Sequence, residues 1–164
     1  MTQVEERLTV LEQPEETNDE MENMYLCFTV GNENYGVEIR HVLQIIGMQE
    51  ITVMPEMPHE MKGFINLRGS IIPVVSMRVR LGRGECDYTE RTCIVIVKVG
   101  EKQIGMIVDS IQEAVTIDPE LISPPPSVGG GKVSSYLKGV AKQLNDRPTI
   151  LLLVQELFCG RSYG

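Results

Sequence analysis

The sequence predicts an all-β fold made of two similar small barrels, and three observations lead to this prediction. Apolar and polar residues alternate over short segments, which is typical of half-buried strands. Turn-forming residues separate these segments at regular intervals, and no long segment outside residues 1–23 has a helical period. A pattern of residues also returns later in the chain, which indicates that one unit has been duplicated.

The first strand is visible in residues 24–30, where Met, Leu, Phe and Val alternate with other side chains and fall on one face. A turn at residues 31–34 contains one glycine and two asparagines, and a second strand begins at Tyr35. The two strands are therefore expected to form a hairpin.

The sequence of this hairpin returns in the second half of the chain. Residues 28–37 match residues 97–106 in pattern, and Gly36 is matched by Gly105. Each hairpin is expected to hold the same place in its own unit.

A second match pairs Gly63 with Gly139, at a slightly wider spacing than the first. Each glycine precedes a strand, a tight turn and a strand that contains a proline. Short helical turns are expected next, at residues 76–81 and 154–158. The wider spacing fits an insertion at 123–131, a stretch that is rich in proline and glycine and predicts a loop.

The duplication predicts two barrel units, at about residues 24–82 and 91–158, with a polar boundary between them. Each unit is too small for a thick core of its own, so strands can be exchanged between the units. Together, residues 24–158 form the folded region, and residues 1–23 form an acidic tail.

The net charge of −8 is concentrated in the acidic tail (residues 1–23), which holds eight acids and one base. The rest of the chain is nearly neutral, which excludes strong binding to nucleic acid. The composition of the tail predicts a disordered, solvated segment. An alternative is a short docking helix that uses Val4, Leu8 and Leu11 and ends before Pro14.

The sequence carries no signature of a metal site, a cofactor or a catalytic group. The four cysteines include no CxxC pair, and the two histidines do not extend them to a metal-ligand pattern. Asp109 follows an apolar strand, but Ile111 stands where an aspartic-protease turn requires glycine. We expect Asp109 to end a strand and to accept backbone N–H bonds. The sequence also lacks a secretory signal and any apolar run long enough to span a membrane, so a cytoplasmic protein is expected.

The segment Asn66-Leu67-Arg68-Gly69 predicts a hairpin turn between apolar strands. Asn and Gly are habitual turn residues, whereas Arg is not. Two interpretations of Arg68 stay open from the residues alone. Arg68 covers apolar surface or pairs with a carboxylate such as Glu38, or it is a polar anchor at a protein interface.

The same segment resembles the CheW family of bacterial chemotaxis coupling proteins. The similarity includes residues 62–78, 35–45, 105–110 and 136–140, and it extends over about residues 24–158. The resemblance implies two SH3-like five-stranded barrels packed side by side. The positions that carry the motif are Gly36, Gly63, Asn66, Gly69, Pro73, Gly105, Asp109 and Gly139.

The resemblance further implies a non-enzymatic adaptor that joins the cytoplasmic tip of chemoreceptors to the regulatory domain of the histidine kinase CheA. The receptor's helical hairpin would pack into a groove between the barrels, and the barrel ends would contact the kinase. The implied partner-binding residues are Ile39, Val42, Gln44 and Arg68.

These implications place the protein in the cytoplasm, at receptor arrays of the inner membrane, without membrane insertion. Gln44 stands where many relatives carry Glu, so a charge pair to Arg68 is either missing or supplied by Glu38. Ser76 stands where relatives commonly carry Asp after the Pro-Val-Val strand. A coupling module of another phosphorelay and an enzyme of unrecognised class are the alternative functions.

Overall fold

A computed structural model describes residues 22–125, 135–144, 147–159 and 163. The predicted disordered tail falls outside this range, apart from its last two residues. The described chain consists of β1 (Met24–Val30), β2 (Glu33–Glu38), β3 (Val42–Gly47), β4 (Met61–Leu67), β5 (Ser70–Ser76), α1 (Met77–Arg80), β6 (Cys93–Val99), β7 (Lys102–Val108), β8 (Ser110–Thr116), β9 (Ile122–Ser123), β10 (Leu137–Leu144), β11 (Arg147–Leu152) and α2 (Val154–Leu157), with 3-10 turns at Ile39–His41 and Pro119–Leu121.

The strands form two sheets, and each sheet draws strands from both halves of the sequence. The six-stranded sheet has the order β8-β1-β2-β11-β10-β9, and the five-stranded sheet has the order β3-β6-β7-β5-β4. The hairpin β1–β2 therefore pairs with strands from the second half, and the hairpin β6–β7 pairs with strands from the first. The pairs β2–β11 and β5–β7 are parallel, and the other strand pairs of the described chain are antiparallel.

The largest apolar core lies between the two sheets. Phe28 of β1 and Val37 of β2 are fully buried there, together with Val95 of β6 and Met106 of β7. Alternate residues of each sheet point the other way and enclose a smaller cluster of their own. Each sheet thus has two buried faces. One packs against the other sheet, and the opposite one encloses the smaller cluster.

Glycine permits the close approach of the parallel strands. A Cβ atom at Gly105 would lie 2.8 Å from Val74 Cγ1 and 2.8 Å from Ile94 Cγ2. A Cβ atom at Gly36 would lie 3.0 Å from Leu151 Cδ2. The matching glycines of the two repeats therefore lie where each hairpin meets its parallel partner.

A second pair of matching glycines, Gly63 and Gly139, lies where the backbone of a neighbouring segment comes close. A Cβ atom at Gly139 would lie 2.5 Å from the carbonyl oxygen of Ser123, and one at Gly63 would overlap the carbonyl oxygen of Thr52. Thr52 forms an isolated antiparallel bridge with Phe64, which corresponds to the pairing of β9 with β10.

The predicted all-β fold with two barrels and short helical turns is confirmed. Ser76, the last residue of β5, begins α1 by accepting a hydrogen bond from Val79 N at 3.3 Å. The helices of the described chain are too short to cross a membrane. The boundary between the two units, near residues 82–90, stays a prediction.

Gly63→Ala should destabilise the fold by about 2 kcal/mol or more, because the position has a φ of +144° and faces backbone. Gly47→Ala is the matched control, since a Cβ atom there meets nothing within 4 Å. Urea unfolding should place the control within about 0.5 kcal/mol of the wild type. Equal midpoints for the two variants would contradict the close approach at Gly63.

Candidate partner-binding site

A cleft of about 510 Å³ lies between the five-stranded sheet and the residues that follow β11. Its apolar lining consists of Phe64, Ile71, Ile72, Pro73, Val99, Ile104, Phe158 and Tyr163, and its polar lining of Ser70, Lys102 and Gln103. Phe158 and Tyr163 also belong to the core between the sheets, so the cleft is an open margin of that core. Ile71 is 63% exposed, which is unusual for a large apolar side chain.

Tyr163 is a buried part of the cleft lining. Its hydroxyl donates a hydrogen bond to Glu60 Oε2 at 2.8 Å, and its ring meets Phe158 edge-on with the centroids 6.0 Å apart. Tyr163 and Glu60 are both buried. Sequence reasoning missed this contact, because an isolated tyrosine far along the chain from its partner leaves no local pattern.

The turn that contains Arg68 leads directly into the cleft lining at Ser70 and Ile71. Arg68 has a φ of +52° and Gly69 a φ of +88°, as in the type I′ turn of a two-residue hairpin. Asn66 Oδ1 accepts a hydrogen bond from Gly69 N at 3.0 Å and supports the turn. Arg68 itself is exposed, and it forms no hydrogen bond or ion pair within the described part of the chain.

The other implied partner-binding residues lie elsewhere. Ile39 and Val42 are 1% and 7% exposed and belong to the core between the sheets. Gln44 is half-buried on β3, which is one edge strand of the five-stranded sheet, whereas β4 is the other edge strand. The burial of Ile39 and Val42 leaves their side chains little surface for a partner. The partner-binding roles of these residues and of Arg68 stay predictions.

Glu38 pairs with residues other than Arg68 in the described structure. Its carboxylate lies 2.9 Å from Arg40 Nη2, 3.8 Å from Lys138 Nζ and 3.8 Å from His41 Nε2. Glu38 is therefore not the charge partner of Arg68 in the described structure.

Lys138 also lies over the ring of Tyr25, with Nζ 5.0 Å from the centroid. Burial lowers the pKa of His41, and the positive charges of Arg40 and Lys138 lower it further, against the opposing effect of Glu38. His41 is therefore mostly neutral near pH 7.

Asp109 connects the two halves of the chain. Arg78 of α1 donates to it twice, from Nε to Oδ1 at 3.0 Å and from Nη2 to Oδ2 at 2.8 Å. Gly31, in the turn between β1 and β2, donates its backbone N–H to Oδ2 at 2.9 Å. The hydrogen bonds to Asp109 raise the pKa of the Arg78 guanidinium. This bidentate pair acts as a structural clamp between the two halves.

Metal-ligating residues do not converge within the described ranges, where no group of three His, Cys, Asp or Glu side chains could hold an ion. The described cysteines are free thiols, of which Cys27 and Cys93 are buried and Cys86 and Cys159 are exposed.

The chain matches the CheW-like domain family over residues 24–160. The Chemotaxis protein CheW of Klebsiella aerogenes is 32% identical over 133 residues, which cover 81% of this chain and 80% of that protein. The Chemotaxis protein CheW of Helicobacter pylori is 29% identical, over 87% of this chain and 85% of that protein. The crystal structure of the scaffolding protein TtCheW from Thermoanaerobacter tengcongensis superposes with a TM-score of 0.76 at 33% identity, over 85% of this chain and 89% of that one.

The protein therefore belongs to the CheW-like domain family, as the motif around Arg68 predicts. Membership in this family supports a scaffold or adaptor role in chemotaxis.

The four cysteines should divide into two reactivity classes. Burial raises the pKa of Cys27 and of Cys93 to about 11, with a smaller contribution from Glu113 at Cys27. Because the thiolate is the reactive form, Ellman's reagent at about pH 8 should label two thiols in the native protein and four after denaturation. The double variant Cys86→Ser/Cys159→Ser should be unreactive until it unfolds, and rapid labelling of it would contradict the buried placement.

Proposed function

We propose that this protein is a non-enzymatic chemotaxis adaptor that couples the cytoplasmic tip of chemoreceptors to the regulatory domain of the CheA histidine kinase. The observation that carries the proposal is the cleft beside the exposed Arg68 turn, in a chain that belongs to the CheW-like family. The protein would act in the cytoplasm, at receptor arrays of the inner membrane.

The cleft suits an amphipathic helix. Its lining combines apolar side chains with Ser70, Lys102 and Gln103, and Ile71 presents most of its surface to solvent beside Pro73. A helix can place residues at i, i+3, i+4 and i+7 into such a groove, and burial of this surface supplies the driving force. The receptor's helical hairpin is the proposed occupant.

Arg68 is the proposed polar anchor of this complex. Its positive φ costs a non-glycine residue free energy, and Asn or Gly would fit the same turn with less strain. Strain at an exposed side chain that no described neighbour binds favours a functional reason for the arginine. A guanidinium at the rim can donate several hydrogen bonds to a carboxylate or to carbonyl groups of the partner.

The kinase regulatory domain is proposed to contact a barrel end, and the β3 region around Ile39, Val42 and Gln44 is proposed as a second contact surface. Two partners bound to separate surfaces can then be coupled through one adaptor. The coupling is limited to the difference in affinity that each partner produces for the other.

The substitution Arg68→Asn should separate binding from folding. Asn is favoured in the type I′ turn, so the thermal midpoint should stay equal to that of the wild type or rise. Affinity for a purified receptor-tip hairpin, measured by calorimetry, should fall about tenfold or more, as for an arginine hot spot. Arg91→Asn is the matched control, because Arg91 is exposed and does not line the cleft.

A second pair of variants tests the cleft itself. Ile71→Asp should weaken receptor binding strongly, whereas Val53→Asp should not, since Val53 is 71% exposed but lies outside the cleft. Unchanged affinity in both Arg68→Asn and Ile71→Asp would overturn the proposed site. If the wild type binds neither the receptor tip nor the kinase domain, the adaptor function itself is wrong.

A further inference from the structure

A group of ionisable side chains lies at one end of the six-stranded sheet, and we call it the cationic mouth because it contains two permanent cations. It consists of Arg40, His41 and Lys138 around Glu38. The side chain of Arg40 is 61% exposed and that of Lys138 is 32% exposed, whereas Glu38 is only 17% exposed. Two permanent cations share one inner carboxylate, so the outer surface of this mouth has an excess of positive charge.

The duplicated half of the chain carries different side chains at the positions that correspond to Glu38, Arg40 and His41. In the register that matches Gly36 with Gly105, Glu38 corresponds to Ile107 and Tyr25 corresponds to Ile94. Ile94 and Ile107 are buried in the apolar cluster of the five-stranded sheet. The counterparts of Glu38 and Tyr25 are thus apolar and buried, whereas Arg40 corresponds to Asp109 and Lys138 to Lys62.

The acidic tail enters the fold beside this mouth. It ends at Asn23, whose carbonyl oxygen accepts a hydrogen bond from Ile117 N at 2.8 Å, and β1 begins with the next residue. Tyr25 pairs with Glu38 across the hairpin, and its ring is the one that Lys138 covers. The start of β1 and the cationic mouth are therefore at the same end of the sheet.

The tail has the complementary charge. It carries eight acids against one base, and three of the acids, Asp19, Glu20 and Glu22, lie close before Met24 in the sequence. An extended chain advances at most about 3.6 Å per residue, so these carboxylates stay within roughly 18 Å of the start of β1. Their tethering gives them a high effective concentration at the mouth.

We propose that the acidic tail docks on the cationic mouth of its own chain and covers Arg40. The contact is electrostatic and follows from charge and connectivity, without a required secondary structure in the tail. Salt weakens it, because the cations lie at the surface.

Docking has a consequence that rests on the proposed function. Arg40 lies two residues before Val42 and four before Gln44, on the surface proposed as a second contact. A docked tail covers this surface, so an acidic side chain of a partner must compete with the tail for Arg40 and Lys138. The tail thereby lowers the affinity of the adaptor for that partner.

His41 provides a readout of docking that needs no partner. NMR titration of the full-length protein is compared with a full-length variant in which the tail acids are replaced by Gln or Asn. Loss of nearby carboxylates should lower the measured pKa of His41 by about 0.5 unit, and about 0.5 M NaCl should remove the difference. His59, in the loop before β4, serves as the internal reference resonance.

A control variant carries Glu50→Gln, Glu56→Gln and Glu101→Gln, which remove charge from exposed positions of the fold outside the tail. It should leave the His41 titration unchanged. An identical His41 titration in the wild type and the tail variant would overturn the docking, and so would an equal shift in the control.

The partner arm measures binding of the kinase regulatory domain and of the receptor tip. The tail variant should bind the partner that contacts the β3 surface about three- to tenfold more tightly than the wild type does. If His41 shifts and neither affinity changes, the masking role is wrong. If neither partner binds any variant, the proposed function fails, and the His41 titration alone decides whether the tail docks.

Discussion

The parallel contact between the halves of the chain is the constraint on which the other features depend. The pairs β2–β11 and β5–β7 insert each repeat's first hairpin into the sheet of the other repeat. Glycine at positions 36 and 105 allows this insertion, because a larger residue would meet Leu151 or Val74 and Ile94. Each sheet is completed only by the other half, so neither half has a finished core by itself.

The two candidate surfaces are products of this arrangement. The cleft beside Arg68 is the margin of the core that the crossed hairpins create between the sheets. The cationic mouth forms where β2 leaves one sheet and the chain passes through Arg40 and His41 into β3 of the other. The clamp between Arg78 and Asp109 ties the same halves together near the turn at Gly31.

Local features of the sequence predict much of this structure, and long-range pairings account for what they miss. Alternating side chains and turn residues indicate the hairpin before Tyr35, and Asn66 with Gly69 indicates the turn at Arg68. Neither β2 nor β11 carries a local mark of its parallel partner, because pairing depends on which edges the rest of the fold leaves open. For the same reason the contacts of Glu38 with Lys138 and of Tyr163 with Glu60 could not be predicted. The structure buries Ile39 and Val42, to which the resemblance assigns a partner-binding role.

The crossed hairpins also bear on how such a fold can arise. Two identical copies of one repeat, each lending its first hairpin to the other, would form a symmetric domain-swapped dimer with this strand order. Joining the copies through the segment between α1 and β6 would give a single chain, without any change in pairing. Fusion also frees each former subunit to diverge. Glu38 of one repeat, for example, corresponds to the buried Ile107 of the other. A symmetric ancestor would have had two equal ends, whereas the fused chain can present a different surface at each.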